Sequence, residues 1–320
     1  MPMLGEMPVW YLFLGGSGAG LLLVTGVTML FVPSWDCMVS HGVAGDLYGV
    51  GSIYRCLARL FVPACAIAAV LLVVGISCLA LDLGATDRAV LLFFSPRVTF
   101  ISAGAWLLSA AVLVDVALLA VWASEPSRRR GHGRVLPAAA VLLGLAVATY
   151  TGLLLQSLSA VPLWETPLLP CLFVLSSLSC GVALMIVVVK LSGVADRFEA
   201  VVRRWERIDA VVLLAEAACA AGFLAMQIAR ARSGDSGTML ALGASLQTLL
   251  VGADAWVFWG VFGCVGIAVP LAVALASICF KPSPLVPFAQ AACALAGAFA
   301  MRWSITAAGV HPILQSAGLS

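Results

Sequence analysis

The stretch LLPCLFVLSSLSCGVALMIVVVK, residues 168–190, decides how this chain is read. It carries no charge from Leu168 to Val189 and stops on Lys190. A helix rises 1.5 Å per residue, so about 20 apolar residues cross a hydrocarbon core of about 30 Å. Working outward, seven further runs of this kind predict spans at roughly 9–32, 60–81, 98–122, 135–157, 208–229, 255–279 and 286–308. The 320 residues are 63% hydrophobic and only 10% charged, with mean hydropathy +1.12. A soluble domain would be near 25% charged. The expected fold is an all-α integral membrane protein with eight transmembrane helices in one polytopic domain, 1–320. No stretch is long enough for a separate soluble domain. The segment Met1–Pro8 has no Lys or Arg and carries Glu6, and the apolar run after it exceeds a signal-peptide core. That run is therefore expected to be the first helix.

The spans contain no histidine. His41, His132 and His311 all fall in connecting or terminal segments. A bundle holding b-type haem needs axial imidazoles inside its spans, so no haem is expected. The ten cysteines include no C-x-x-C pair, which argues against an iron–sulfur cluster or a metal site in this chain. Most of them lie in spans, where cysteine behaves as a small apolar residue.

The connections 33–59, 123–134, 190–207 and 280–285 hold 12 of the 17 basic residues. The opposite side, with both termini, holds Arg88, Arg97, Arg230, Arg232 and Arg302. The positive-inside rule places the first side in the cytoplasm and both termini outside. The run Ser127–Arg134, with Arg128, Arg129 and Arg130, reads as this topological signal, and no nucleic-acid partner is expected.

Helix rise turns position into depth. Tyr150 falls about 10 Å, Ser17 about 12 Å and Arg302 about 9 Å inside the outward face. Gln156 and Asp82 sit at the outward ends of their spans. Asp115 and Glu216 lie about 10–12 Å in from the cytoplasm. The outward layer thus offers hydroxyl, amide and guanidinium donors, and the cytoplasmic layer two carboxylates. Ionisable groups at such depth are costly and point to function. The structural alternatives are that Arg302 snorkels outward and that Asp115 or Glu216 is protonated and bonded to a neighbouring helix.

The first span contains the small-residue run Gly15–Gly20. Such a run admits either a neighbouring backbone or a flat ligand. The connection Ser159–Pro167 has two prolines and Trp164. Trp164 reads either as an interfacial anchor or, with Tyr150 and Thr151 nearby, as the roof of a pocket.

Several stretches together resemble the NrfD-type membrane subunits of polysulfide and related reductases. They are Trp10–Gly16, Leu81–Gly84, Tyr150–Gly152 with Pro162–Pro170, Ser176–Gly181, and Gly297 with Arg302. The resemblance covers the chain end to end. It implies two four-helix bundles, no cofactor held by the subunit itself, and a site for menaquinone or ubiquinone near the outward face. It implies electron exchange with a four-cluster ferredoxin-like iron–sulfur subunit docked there, with a molybdopterin catalytic subunit or multihaem cytochrome beyond. The setting it implies is a prokaryotic cytoplasmic (inner) membrane. Tyr150 matches the family tyrosine associated with the quinone head group, and Ser17 falls in the first-span region lining the pocket. The candidate quinone-binding set is Tyr150, Ser17, Thr151, Trp164 and Gln156. The family also makes Asp115 and Glu216 candidates for proton transfer.

The reading is a quinone-reactive membrane anchor of a multisubunit respiratory oxidoreductase. Tyr150 would donate to a quinone carbonyl as charge develops, and Asp82 would take up a released proton at the surface. Two rivals stand beside it. A proton-coupled secondary transporter would use Asp115 and Glu216 and show inverted repeats with broken helices. A purely structural anchor would need none of these polar residues.

Overall fold

A computed structural model describes residues 6–31, 50–82, 100–124, 134–158, 160–195, 198–233, 237–252, 255–279 and 285–309. The elements in order are α1 (Glu6–Phe31), α2 (Val50–Asp82), α3 (Phe100–Ala123), α4 (Val135–Gln156), α5 (Leu168–Leu191), α6 (Glu199–Arg232) and α7 (Gly237–Val251). Next come α8 (Val257–Ala268), α9 (Val269–Cys279) and α10 (Val286–Gly309). No strand occurs among the described residues. Among the described residues, eight helical stretches are long and apolar enough to cross a membrane, α8 and α9 together forming one of them.

Three differences from the sequence reading have local causes. Helices α2 and α6 run for 33 and 34 residues, about 50 Å each, and so overshoot the apolar runs. A hydropathy window stops at the first charges, but a helix does not. The first turns of α6 are held by the Arg203–Glu199 pair at 2.7 Å, four residues apart. Glu199 in its first turn and Arg230 and Arg232 in its last also suit the helix dipole. The second difference is α7, which falls where a loop was expected. Its 15 residues reach about 22 Å, too short to span. The third is α8, which winds as a π-helix before Pro270. The Val269 N–H reaches back to the Cys264 carbonyl, five residues away.

Helix α1 packs on α2, α4, α5 and α10, and α5 packs on α1, α4, α6 and α10. Helices α1 to α4 close a ring of neighbours. Helices α5, α6, α8–α9 and α10 form a second set. Two four-helix bundles sharing an α1/α4/α5/α10 seam would give these neighbours. In the most apolar 18 residues, α1 is 78% and α5 72% buried, against 28% for α2 and α3. Residues such as Val70, Leu113 and Leu142 are instead exposed on the outside of the set, where lipid would solvate them.

The seam is close because small residues line it. A side chain at Gly20 of α1 would strike the Ser177 carbonyl of α5, and one at Gly181 would strike Gly20. Gly266 of α8 and Gly297 of α10 meet backbone to backbone in the same way. Helix α5 ends in a left-handed cap at Gly193, φ +65°.

Candidate functional site

Arg302 of α10 lies fully buried among three helices. Its Nε donates to the Leu12 carbonyl of α1 at 3.1 Å. Nη1 donates to Ser176 Oγ at 3.2 Å and to the Ala298 carbonyl at 3.0 Å, and Nη2 to Ser177 Oγ at 3.0 Å. The ring of Phe173 covers the guanidinium at 5.0 Å. Gly16 makes the approach possible, because a Cβ there would sit 2.7 Å from Nη2. The snorkelling alternative is thereby overturned: the side chain turns inward, where its fork finds fixed acceptors.

Glu216 of α6 belongs to the same group. It is buried, its carboxyl interacts with the Ser176 hydroxyl, and Arg302 supplies the opposite charge. The arginine and the carboxylate therefore share Ser176 between them, and the buried charges offset one another. One more carboxylate joins from the basic end of α6: Ser179 of α5 donates to Asp209 Oδ1 at 2.9 Å.

A second polar group sits in the first set of helices. Tyr150 of α4 is buried and donates its hydroxyl to the Phe100 carbonyl, at the start of α3, at 3.0 Å. Its ring lies so close against α3 that a Cβ at Gly104 would overlap it. The hydroxyl of Tyr11 in α1 interacts with that of Tyr150, yet Tyr11 Oη is buried with no hydrogen-bond partner. Tyr150 lies 6 residues from the end of α4 and Tyr11 5 residues from the start of α1, so both are about 8–9 Å from the same end of the protein.

The connection between α4 and α5 is pinned over that end. Trp164 is buried and donates its Nε1 to the Ile305 carbonyl of α10 at 3.0 Å. Its ring fills the space left by Gly309. Gln227 Nε2 donates to the Leu163 carbonyl at 2.6 Å, and Arg230 donates to the Glu165 carbonyl at 2.7 Å. An interfacial anchor would expose its ring to the membrane surface, so Trp164 is not one.

The remaining candidates stand apart. Thr151 is buried and bonds the Ala148 carbonyl of its own helix. Gln156 is half-buried at the end of α4. Ser17 is buried with no hydrogen-bond partner and lies beside Cys180 of α5. The small-residue run around it packs against Arg302, α2 and α5, which is the packing alternative. Asp82 ends α2, and its side chain lies outside the described residues, as do His41, His132 and His311. Asp115 of α3 faces Cys65 of α2, and neither of its oxygens has a hydrogen-bond partner. Asp115 and Glu216 are thus not brought together, because they lie on helices of different sets. Among the described residues no three His, Cys, Asp or Glu side chains converge as metal ligands.

Sequence reasoning missed Tyr11, Asp209, Gln227 and Arg230 as site residues. The signal for Asp209 was present. It stands seven residues before Glu216, which returns to nearly the same helix face.

Protein NrfD of Escherichia coli (strain K12) is 28% identical over 183 residues, 56% of this chain and 53% of that protein. The chain thus matches about half the length of that relative. The family described as polysulphide reductase, NrfD, matches residues 5–313. The match takes in every described helix, both tyrosines and Arg302, and the chain belongs to the NrfD polysulphide reductase family of membrane proteins.

Proposed function

We propose that this protein is the quinone-reactive membrane anchor of a multisubunit respiratory oxidoreductase. The observation that carries the reading is the Tyr11–Tyr150 pair. Two phenol hydroxyls are buried at one end of the helices, and that of Tyr11 has no hydrogen-bond partner. A buried hydroxyl without a partner is expensive in a membrane protein. A quinone carbonyl is an acceptor of the right chemistry, and a donor aimed at it favours the reduced ring as negative charge develops. Quinol would pass two electrons, one at a time, to an iron–sulfur subunit docked over the Trp164 connection. Its protons would leave on the same side, with Asp82 as a surface acceptor. Gln156 and Trp164 would border the ring from the end of α4 and the connection after it. Glu216 would serve proton transfer from the opposite layer. The ring is menaquinone or ubiquinone, and the catalytic partner a molybdopterin enzyme or a multihaem cytochrome. The membrane is the prokaryotic cytoplasmic one, with both termini outward on the positive-inside rule.

Purification tests the reading. The full chain, drawn from mild detergent with an affinity tag, should bring iron–sulfur and catalytic subunits with it, and that complex should oxidise quinol. A chain that elutes alone and moves a solute against a proton gradient would instead be a transporter.

A further inference from the structure

We infer that the outer face of α6 binds an anionic phospholipid of the leaflet on the basic-loop side. Its phosphate would lie on Arg204 and Arg207, and its acyl chains along Val211, Leu214 and Ala218. Such a site is independent of what the tyrosine end binds.

The cationic half comes from the first turns of α6. Arg203, Arg204 and Arg207 fall within about 100° of one another around the helix, and all three are exposed. The opposite side of these turns is fixed, because Phe198, Val202 and Trp205 are buried in the core. The arginines are therefore held outward together. Like charges three and four residues apart repel. Arg203 has a carboxylate, Glu199, at 2.7 Å, and it acts with Lys190 on Glu206. Arg204 and Arg207 have no acidic residue three or four positions away in either direction. Neither makes an ion pair or hydrogen bond among the described residues. Two neighbouring guanidiniums thus lack a counter-charge from the chain, and an anion from outside would relieve their repulsion.

The apolar half lies directly below. Val211, Leu214 and Ala218 return to the same face of α6 as Arg204 and Arg207. Val211 is 65% and Leu214 54% exposed, and Ala218 is exposed as well. A free anion would touch only the arginines, whereas an anion joined to hydrocarbon matches both halves. The depth agrees. Arg207 stands about 1.5 Å and Arg204 about 6 Å beyond the start of the apolar run 208–229. The headgroup layer is about 5–8 Å thick on each side of the hydrocarbon, so both guanidiniums stand at the level of lipid phosphates. A planar guanidinium takes phosphate oxygens in pairs.

Lipid titration of the full chain in mild detergent, followed by native mass spectrometry, tests the site. The chain should retain phosphatidylglycerol more tightly than phosphatidylcholine with the same acyl chains. Arg204→Gln combined with Arg207→Gln should weaken phosphatidylglycerol binding about 30-fold, and each change alone about fivefold, the effect of arginines at a membrane surface. Arg232→Gln, on the same face of α6 at its other end, should leave that affinity unchanged. Glycerol phosphate, the headgroup without its chains, should not displace the lipid at equal concentration. Equal affinity for the two lipids, or parental affinity in the double variant, overturns the site. So does an equal loss in Arg232→Gln. Displacement by glycerol phosphate would make it a site for a free anion and overturn the lipid assignment.

Discussion

Arg302 in the last helix donates its Nε–H to the carbonyl of Leu12 in the first, 3.1 Å away across 290 residues of sequence. The contact ties the two ends of the chain together at the seam between the helix sets. It also takes up a backbone carbonyl already used inside α1, so the guanidinium adds a second bond to that oxygen.

Removing this side chain should unfold the seam. Arg302→Ala leaves Glu216 buried without its counter-charge and Ser176 and Ser177 without their donor, a loss of about 3–5 kcal/mol. Arg302→Lys keeps the charge but not the fork, and should recover only part of that. Unfolding in detergent, followed by denaturant or heat, measures both.

Tyr150→Phe keeps the ring and removes one hydroxyl. Assembly should be intact and quinol oxidation about tenfold slower, for a lost bond of about 1.5 kcal/mol. Tyr11→Phe should slow it comparably. An artificial donor feeding the partner subunits directly should work as before. Parental quinol turnover in both variants would make the tyrosines structural.

Gly104→Ala tests the placement of Tyr150 from the opposite helix. The added methyl would overlap the tyrosine ring, so the Tyr150–Phe100 bond must break or α3 must move. Overpacking of this kind costs about 1–3 kcal/mol. Quinol oxidation should fall at least as far as in Tyr150→Phe, with a lower unfolding midpoint as well.

Trp164→Ala should destabilise by about 3–5 kcal/mol, because a buried indole is lost from beside Gly309. Trp164→Phe should cost about 1 kcal/mol for the bond to the Ile305 carbonyl. Near-parental unfolding of Trp164→Ala would contradict the burial of this ring.

Reporter fusions check the orientation. Fusions after Arg130 and after Arg204 should report the cytoplasm, and a fusion at the C-terminus the outside, from the 12-to-5 split of basic residues. The reverse pattern would move the tyrosine end to the cytoplasm.

The eight spans were legible in the sequence because hydrophobic length is local: a run such as 168–190 declares itself without reference to any other segment. The depths of Tyr150 and Arg302 were legible for the same reason, since rise per residue needs only a count. Local reading failed where length and charge gave no boundary. It began α6 only after Arg207, stopped it before Arg230, and passed over α7, whose 15 residues are too few for a span. Only the tertiary structure decided which deep polar groups meet. Asp115 and Glu216 have similar depth but face different helices, whereas Asp209, Glu216 and Arg302 converge through two serines of α5. Depth is set by position along one helix. Rotation and neighbour are set by which small residues let two backbones touch, as at Gly20 with Gly181 and Gly266 with Gly297, and those contacts join segments far apart in the chain.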